Sequence, residues 1–146
     1  MALTRIVETE IEKSAVQLAL PEWREMSEHE QAVLCALLFS NRALKFAEVY
    51  SAIVHYRLRI VLGQSYTKEK SRSDFIKYGG LRGLLDHYRE KGISLPGYPT
   101  IEDVLSELEA FGWINKRKLG GEKYYSIPNH VADKVRAGLP KSINPP

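Results

Sequence analysis

The chain has 146 residues, of which 44% are hydrophobic and 27% are charged, which is the balance of one ordinary globular domain. No apolar run reaches the roughly 20 residues that a membrane-spanning helix needs, and the N-terminus lacks a secretory h-region. We therefore expect a cytoplasmic protein. Its net charge of +3 makes it only mildly basic.

The first predicted element is an amphipathic helix in the N-terminal segment, residues 1–20, expected near residues 4–19. Apolar side chains recur there at three- and four-residue steps, with glutamates between them, and Pro21 ends the pattern. Such a stripe must be covered, either by the chain's own core or by a second copy in a two-fold dimer. The residues of this candidate dimer interface are Leu3, Ile6, Val7, Ile11 and Leu18.

The next elements are two helices with a short strand between them. Ser27 and Glu30 have capping-box spacing, which predicts a helix over residues 27–39 that is apolar nearly all round and central to the core. Its apolar run contains the single cysteine, Cys35, which we expect to be a buried structural thiol. Residues 44–46 suggest a short strand, and a third helix is expected over residues 47–62 and ended by Gly63.

Residues 63–99 form a long insertion before the next strong helix. The polar, serine-rich stretch 64–80 predicts a loop with one helical turn near Phe75, and residues 81–91 predict a short helix. The loop is either a solvated mobile segment or a second basic contact for nucleic acid. The candidate binding residues in it are Lys68, Lys70 and Arg72.

The clearest helix spans residues 100–111, with Thr100 and Asp103 as an N-cap pair and Gly112 as its stop. A hairpin follows at residues 113–127. Its turn is Gly120-Gly121, because two glycines permit the positive backbone angles of a two-residue turn. Residues 128–146 predict a short C-terminal helix, near 129–137, and a proline-bearing tail.

The order of elements in residues 100–127 resembles the end of a winged helix-turn-helix domain. That order is a helix, a glycine stop, a strand, a glycine turn and a second strand. The segment Val104–Ile114 resembles the typical end of the recognition helix in that family. Three segments resemble more narrowly the C-terminal winged helix of archaeal origin-recognition initiator proteins: the leucine-rich helix Ser27–Phe39, Glu48-Val49-Tyr50 and Ser106-Glu107-Leu108-Glu109.

This resemblance covers about residues 26–127 and implies a mainly α fold with a small β-hairpin. The winged-helix domain would span residues 21–127, with an extra N-terminal helix and the insertion 63–99 before the recognition helix. The resemblance implies double-stranded DNA as the partner, in replication initiation or transcription regulation. The insertion is longer than the family's usual link, and nothing resembles the ATPase module that precedes this domain in the initiators.

Motifs for catalysis or cofactor binding are not found in the sequence. The glycines of Tyr78–Gly83 lack the lysine-hydroxyl pair of a phosphate-binding loop, and the four histidines lack metal-ligand spacing. Asp86 and His87 are adjacent, so their side chains diverge on a helix and would not form a proton relay. We therefore expect a protein that is not an enzyme and binds no cofactor or metal.

Charge distribution predicts which surface binds. The exposed positions of the 100–111 helix include four acids and no cation, which DNA phosphates would repel. The alternative contact is the predicted hairpin at residues 113–127, which would be the basic wing of such a domain. Otherwise this hairpin is a charged sheet edge whose lysines keep the protein soluble. A third possibility is a protein-interaction adaptor that uses the acidic helix. The candidate nucleic-acid-binding residues of the wing are Lys116, Arg117, Lys118, Lys123 and Tyr124.

Overall fold

The computed structural model describes residues 19–139, so the predicted N-terminal helix, its candidate dimer interface and the tail from residue 140 lie outside the described residues. The described range contains six α-helices and a small sheet. The helices are α1 (Glu28–Ser40), α2 (Phe46–Leu62), α3 (Lys68–Lys77), α4 (Leu81–Glu90), α5 (Tyr98–Ala110) and α6 (Asn129–Gly138), and the strands are β1 (Leu44–Lys45), β2 (Asn115–Leu119) and β3 (Glu122–Ser126).

Helix α1 begins with the predicted capping box. The Glu30 amide donates to Ser27 Oγ at 3.2 Å, and the Ser27 amide donates to Glu30 Oε1 at 2.8 Å. These two bonds satisfy amides that the first helical turn cannot pair internally. The helix ends at Asn41, whose positive φ of 57° reverses the chain toward β1. Helix α1 buries most of its surface, as predicted.

The sheet is antiparallel in the order β1-β3-β2, so the last strand lies in the middle. The hairpin β2–β3 turns at Gly120 and Gly121, whose φ angles are +59° and +84°. Both angles are costly for a residue with a Cβ and free for glycine. The predicted mainly α fold with a small β-hairpin is therefore confirmed, with β1 added at the hairpin's edge.

The core lies between α1, α2 and α5, with β3 and α6 closing it. Helix α5 ends at the predicted glycine: Gly112 has a φ of +78°, and the Trp113 amide donates to the Leu108 carbonyl at 3.0 Å. This left-handed cap directs the chain from α5 into β2. The largest fully buried side chains are Leu34, Ile53, Leu58, Ile101, Leu105, Leu108 and Ile114. None of the helices within 19–139 is long and apolar enough to cross a membrane.

The predicted loop over residues 64–80 is wrong, because most of it is helix α3. Thr67 caps the helix by accepting the Lys70 amide at 3.2 Å. One turn later, Lys70 Nζ lies 3.0 Å from Asp74 Oδ1, an i,i+4 ion pair. The insertion therefore holds two helices, α3 and α4, rather than one.

The predicted N-cap of α5 is also wrong. The helix begins at Tyr98, with Gly97 at the cap, so Thr100 and Asp103 lie inside it. Pro99 explains the earlier start, because a proline fixes a helical φ and lacks an N–H that the first turn leaves unpaired anyway.

Gly83 in the first turn of α4 lies directly against the backbone of Tyr78. A Cβ at this position would overlap the Tyr78 carbonyl oxygen, which cannot rotate away as a side chain can. We expect Gly83→Ala to lower the free energy of unfolding by about 1–3 kcal/mol in urea denaturation. Arg82→Ala, at the exposed neighbouring position, is the control and should change it by about 0.5 kcal/mol or less. Equal losses in the two variants would contradict the close backbone approach.

Candidate nucleic-acid interface

The register of the β2–β3 hairpin decides which cations share a face. Lys118 stands opposite Lys123, Arg117 opposite Tyr124, and Lys116 opposite Tyr125. Opposed residues project to the same side, and side chains alternate along each strand. One face therefore carries the three lysines and Tyr125, and the other carries Arg117 and Tyr124.

Lys116 lies at the base of the hairpin, near the core. It is opposite the buried Tyr125, and its Nζ lies 3.3 Å from Glu109 Oε2 of α5. The charge of Lys116 is therefore balanced within the protein. This ion pair joins the hairpin to α5, so Lys116 is the hairpin cation least suited to binding an external phosphate.

Lys118 and Lys123 lie at the other end of the same face, next to the glycine turn. Both are exposed, and neither forms an ion pair with any residue of the described range 19–139. Like charges directly opposite each other across two strands destabilise a hairpin. The pair is thus unfavourable for folding, and an anion bound between the two ammonium groups would remove the repulsion.

The opposite face of the hairpin carries Arg117, Tyr124 and, from the neighbouring strand β1, Lys45. Lys45 lies 6.0 Å from the centre of the Tyr124 ring and 3.2 Å from Glu122 Oε2. The hydrogen bond with Glu122 and its charge raise the pKa of Lys45. Lys45 is therefore already paired. Arg117 forms no ion pair with a described residue, and it can place its guanidinium beside a phosphate while the Tyr124 ring contacts sugar or base.

Helix α5 presents acids beside this basic hairpin. Glu102, Asp103 and Glu107 are exposed and Glu109 is half-buried, and the helix contains no lysine or arginine. Its exposed face therefore has the predicted negative charge. Only Glu109 is neutralised by the hairpin, through Lys116.

The candidate cations of the insertion belong to a different surface. Lys70 is paired with Asp74, whereas Lys68 and Arg72 line a groove between α1, α2 and α3. None of the residues that line this groove comes from β2 or β3. The structure therefore does not bring Lys68 and Arg72 together with the β2–β3 hairpin in one site.

Three further observations bear on the chemistry that the described residues could perform. No cluster of three or more His, Cys, Asp or Glu side chains in residues 19–139 is placed to hold a metal ion. Cys35 is buried as predicted, and burial raises the pKa of its thiol to about 12, so the thiol is neutral and unreactive at neutral pH. His87, the residue after Asp86, stacks on the Tyr78 ring at 3.9 Å between ring centres.

Sequence reasoning placed these cations on one hairpin but missed two contacts of its side chains, that of Lys116 with Glu109 and that of Tyr124 with Lys45. The position of Glu109 beside Lys116 depends on how α5 packs against the hairpin. The position of Lys45 beside Tyr124 depends on the pairing of β1 with β3. The only sequence signal for a third strand was the short stretch of residues 44–46, which suggested a strand. Comparison of the chain with protein-family models, curated proteins and solved structures finds no match.

Proposed function

We propose that this chain is a non-catalytic winged-helix protein that binds double-stranded DNA through the β2–β3 hairpin. The order of elements supports the winged-helix assignment. Helix α1, strand β1 and helix α2 precede α5, which leads into β2 and β3, and the sheet order is β1-β3-β2. On this assignment α5 takes the place of the recognition helix, and the hairpin is the wing.

One observation carries the DNA-binding proposal. Lys118 and Lys123 are held opposite each other at the exposed end of the hairpin without a carboxylate partner in residues 19–139. A protein gains no stability from this arrangement, and a phosphate group offers the missing counter-charge. Arg117 adds a third cation on the other face.

The acidic α5 sets the orientation of this binding. An ordinary recognition helix enters the major groove, but the carboxylates of α5 would be repelled by both phosphate backbones. Contact through the tip of the wing leaves α5 away from the DNA. The glycines at the tip carry no side chain that would prevent close approach to a groove. The cellular process, replication initiation or transcription regulation, rests on the resemblance to archaeal initiators.

A salt titration tests this proposal. We expect the protein to bind random-sequence duplex DNA, with a slope of log affinity against log salt of about −3, because Arg117, Lys118 and Lys123 would supply three phosphate contacts at 0.9 each. Fluorescence anisotropy at four salt concentrations measures the slope. Absence of binding at the lowest salt would overturn the proposal.

The exposed acids of α5 favour one alternative function, that of an adaptor that binds a basic protein partner. The three exposed carboxylates of this helix, those of Glu102, Asp103 and Glu107, would form a docking surface for lysine or arginine side chains. A protein that binds no duplex in the titration, but binds a lysine-rich peptide with an affinity that falls on Glu102→Gln and Glu107→Gln substitution, would favour the adaptor.

A further inference from the structure

An open groove lies on the side of the molecule formed by α1, α2 and α3. Its volume is about 640 Å³, and small or apolar side chains from α1 and α2 form most of its floor. Two large apolar side chains at its edge are strongly exposed, Ile60 at 54% and Phe75 at 42%. Apolar surface of this kind marks a place where another segment binds. The floor residues include Cys35, Ala36, Phe39, Ser51 and Ala52.

The charges around this groove have one sign. Arg59, Lys68 and Arg72 line it, and none of its lining residues is an aspartate or glutamate. None of the three cations forms an ion pair with a residue of the part of the chain that the structure describes. The chemistry of the groove therefore fits an amphipathic segment that combines an apolar stripe with carboxylates.

The chain itself contains one such segment, in residues 1–18, which precede the described range. Its apolar stripe consists of Leu3, Ile6, Val7, Ile11 and Leu18, and its three carboxylates are Glu8, Glu10 and Glu12. These glutamates complement the cations around the groove. The residues between 6 and 12 contain no lysine or arginine.

The described chain begins close to the groove. The Trp23 carbonyl accepts a hydrogen bond from Gln31 Nε2 at 2.7 Å, and Gln31 Oε1 accepts one from the Tyr56 hydroxyl at 3.3 Å. Tyr56 lines the groove, as does Ala32, the residue after Gln31. Leu20 already packs against the core. Residue 18 therefore needs no long linker to reach one end of the groove.

We propose that residues 3–18 of the same chain bind in this groove, with the apolar stripe inward and the glutamates toward the cations. A helix over these residues would be about 24 Å long, and the α1 wall from Ala32 to Ser40 is about 12 Å long, so the groove would hold two to three turns of it. The glutamates would reach Arg59, Lys68 and Arg72 across the rim. Lys68 and Arg72 would then bind this segment rather than DNA.

A cysteine placed in the groove tests the proposal. In a Cys35→Ala background, Ser51→Cys puts a thiol of nearly the size of the native hydroxymethyl group on the groove floor. Maleimide labelling is followed by mass spectrometry in the full-length protein. Two second substitutions are compared, Ile11→Asp in the stripe and Thr9→Asp as the matched control. Positions 9 and 11 would be about 200° apart around a helix, and the two substitutions add the same charge.

We expect Ile11→Asp to accelerate labelling about tenfold or more, because it places a charge in the apolar contact, and Thr9→Asp to leave the rate unchanged. The result should be the same at two protein concentrations that differ a hundredfold. Equal rates in the parent and both variants would overturn the proposal. Protection that disappears on dilution would also overturn it, since the occupant would then be the segment of a second copy in a dimer.

A second thiol keeps the test decisive if Ser51→Cys disturbs folding, as judged by circular dichroism. Ser71→Cys lies on the α3 wall of the same groove. It should show the same order of labelling rates across the Ile11→Asp and Thr9→Asp variants, and a uniform rate there would overturn the proposal in the same way.

Discussion

Asp74→Ala should lower the free energy of unfolding by about 2–4 kcal/mol, because it removes a buried carboxylate and leaves its partners without it. Asp74 is 1% exposed. It accepts a hydrogen bond from the Tyr88 hydroxyl of α4 and pairs with Lys70 at 3.0 Å. The Tyr88 hydroxyl is buried too, so the variant would leave it without this acceptor. Urea denaturation at pH 7 measures the loss.

The control for this variant is Asp86→Ala, at an exposed position of α4. It removes the same charge and should change the free energy of unfolding by about 0.5 kcal/mol or less. Tyr88→Phe removes only the hydrogen bond and should cost less than Asp74→Ala. Similar small effects of Asp74→Ala and Asp86→Ala would contradict the role of this carboxylate in holding α3 on α4.

The pH dependence of stability has a definite sign. Burial by itself would raise the pKa of Asp74, but the hydrogen bonds from Tyr88 and Lys70 outweigh it and hold the pKa below the usual value. A carboxyl whose pKa falls on folding contributes stability that is complete above its pKa in the unfolded chain, which is about 4 for aspartate. That stability is lost as the pH falls through the pKa of the folded state. The destabilisation caused by Asp74→Ala should therefore shrink in acid, below about pH 4.

Helix α3 also shows where sequence reasoning stopped. Its residues are polar almost all round, so no apolar stripe announces a helix. The helix is held by a hydrogen bond between Asp74 and Tyr88, which are 14 positions apart in the sequence. This contact forms only when α4 folds back on α3, so the sequence of α3 alone does not predict it. A local signal did exist in the Thr67 cap and the Lys70–Asp74 spacing, but both are also common in loops.

The elements that the sequence predicted well have strong local causes. The capping box fixes the start of α1, and Gly63, Gly112 and the Gly120-Gly121 turn mark chain reversals that other residues adopt only with strain. Lys116 and Lys118 share a face for an equally local reason, because side chains alternate along a strand. The pairing of Lys116 with Glu109 could not be predicted, because it depends on the packing of α5 against the hairpin.

The wing proposal predicts the largest effect on binding. Replacing Arg117, Lys118 and Lys123 together with glutamine should weaken duplex binding by about two to three orders of magnitude at 0.1 M salt, because each phosphate contact contributes roughly tenfold there. The slope of log affinity against log salt should become shallower by about three units. The free energy of unfolding should stay the same or rise slightly, since the Lys118–Lys123 repulsion is gone. A function lost without loss of stability is the expected mark of a binding surface.

The matched control changes three exposed cations of the insertion, Lys77, Arg82 and Lys91, to glutamine. Both triple variants lower the net charge from +3 to zero, so a general attraction between a basic protein and DNA would weaken equally in both. A wing contact requires the wing variant to lose most of its affinity while the control keeps nearly all of it. Equal losses would contradict a wing contact. Loss of sequence-specific binding on Glu102→Gln and Glu107→Gln substitution, with the wing variant unaffected, would instead make α5 the reading helix, because glutamate accepts hydrogen bonds from cytosine amino groups in the major groove.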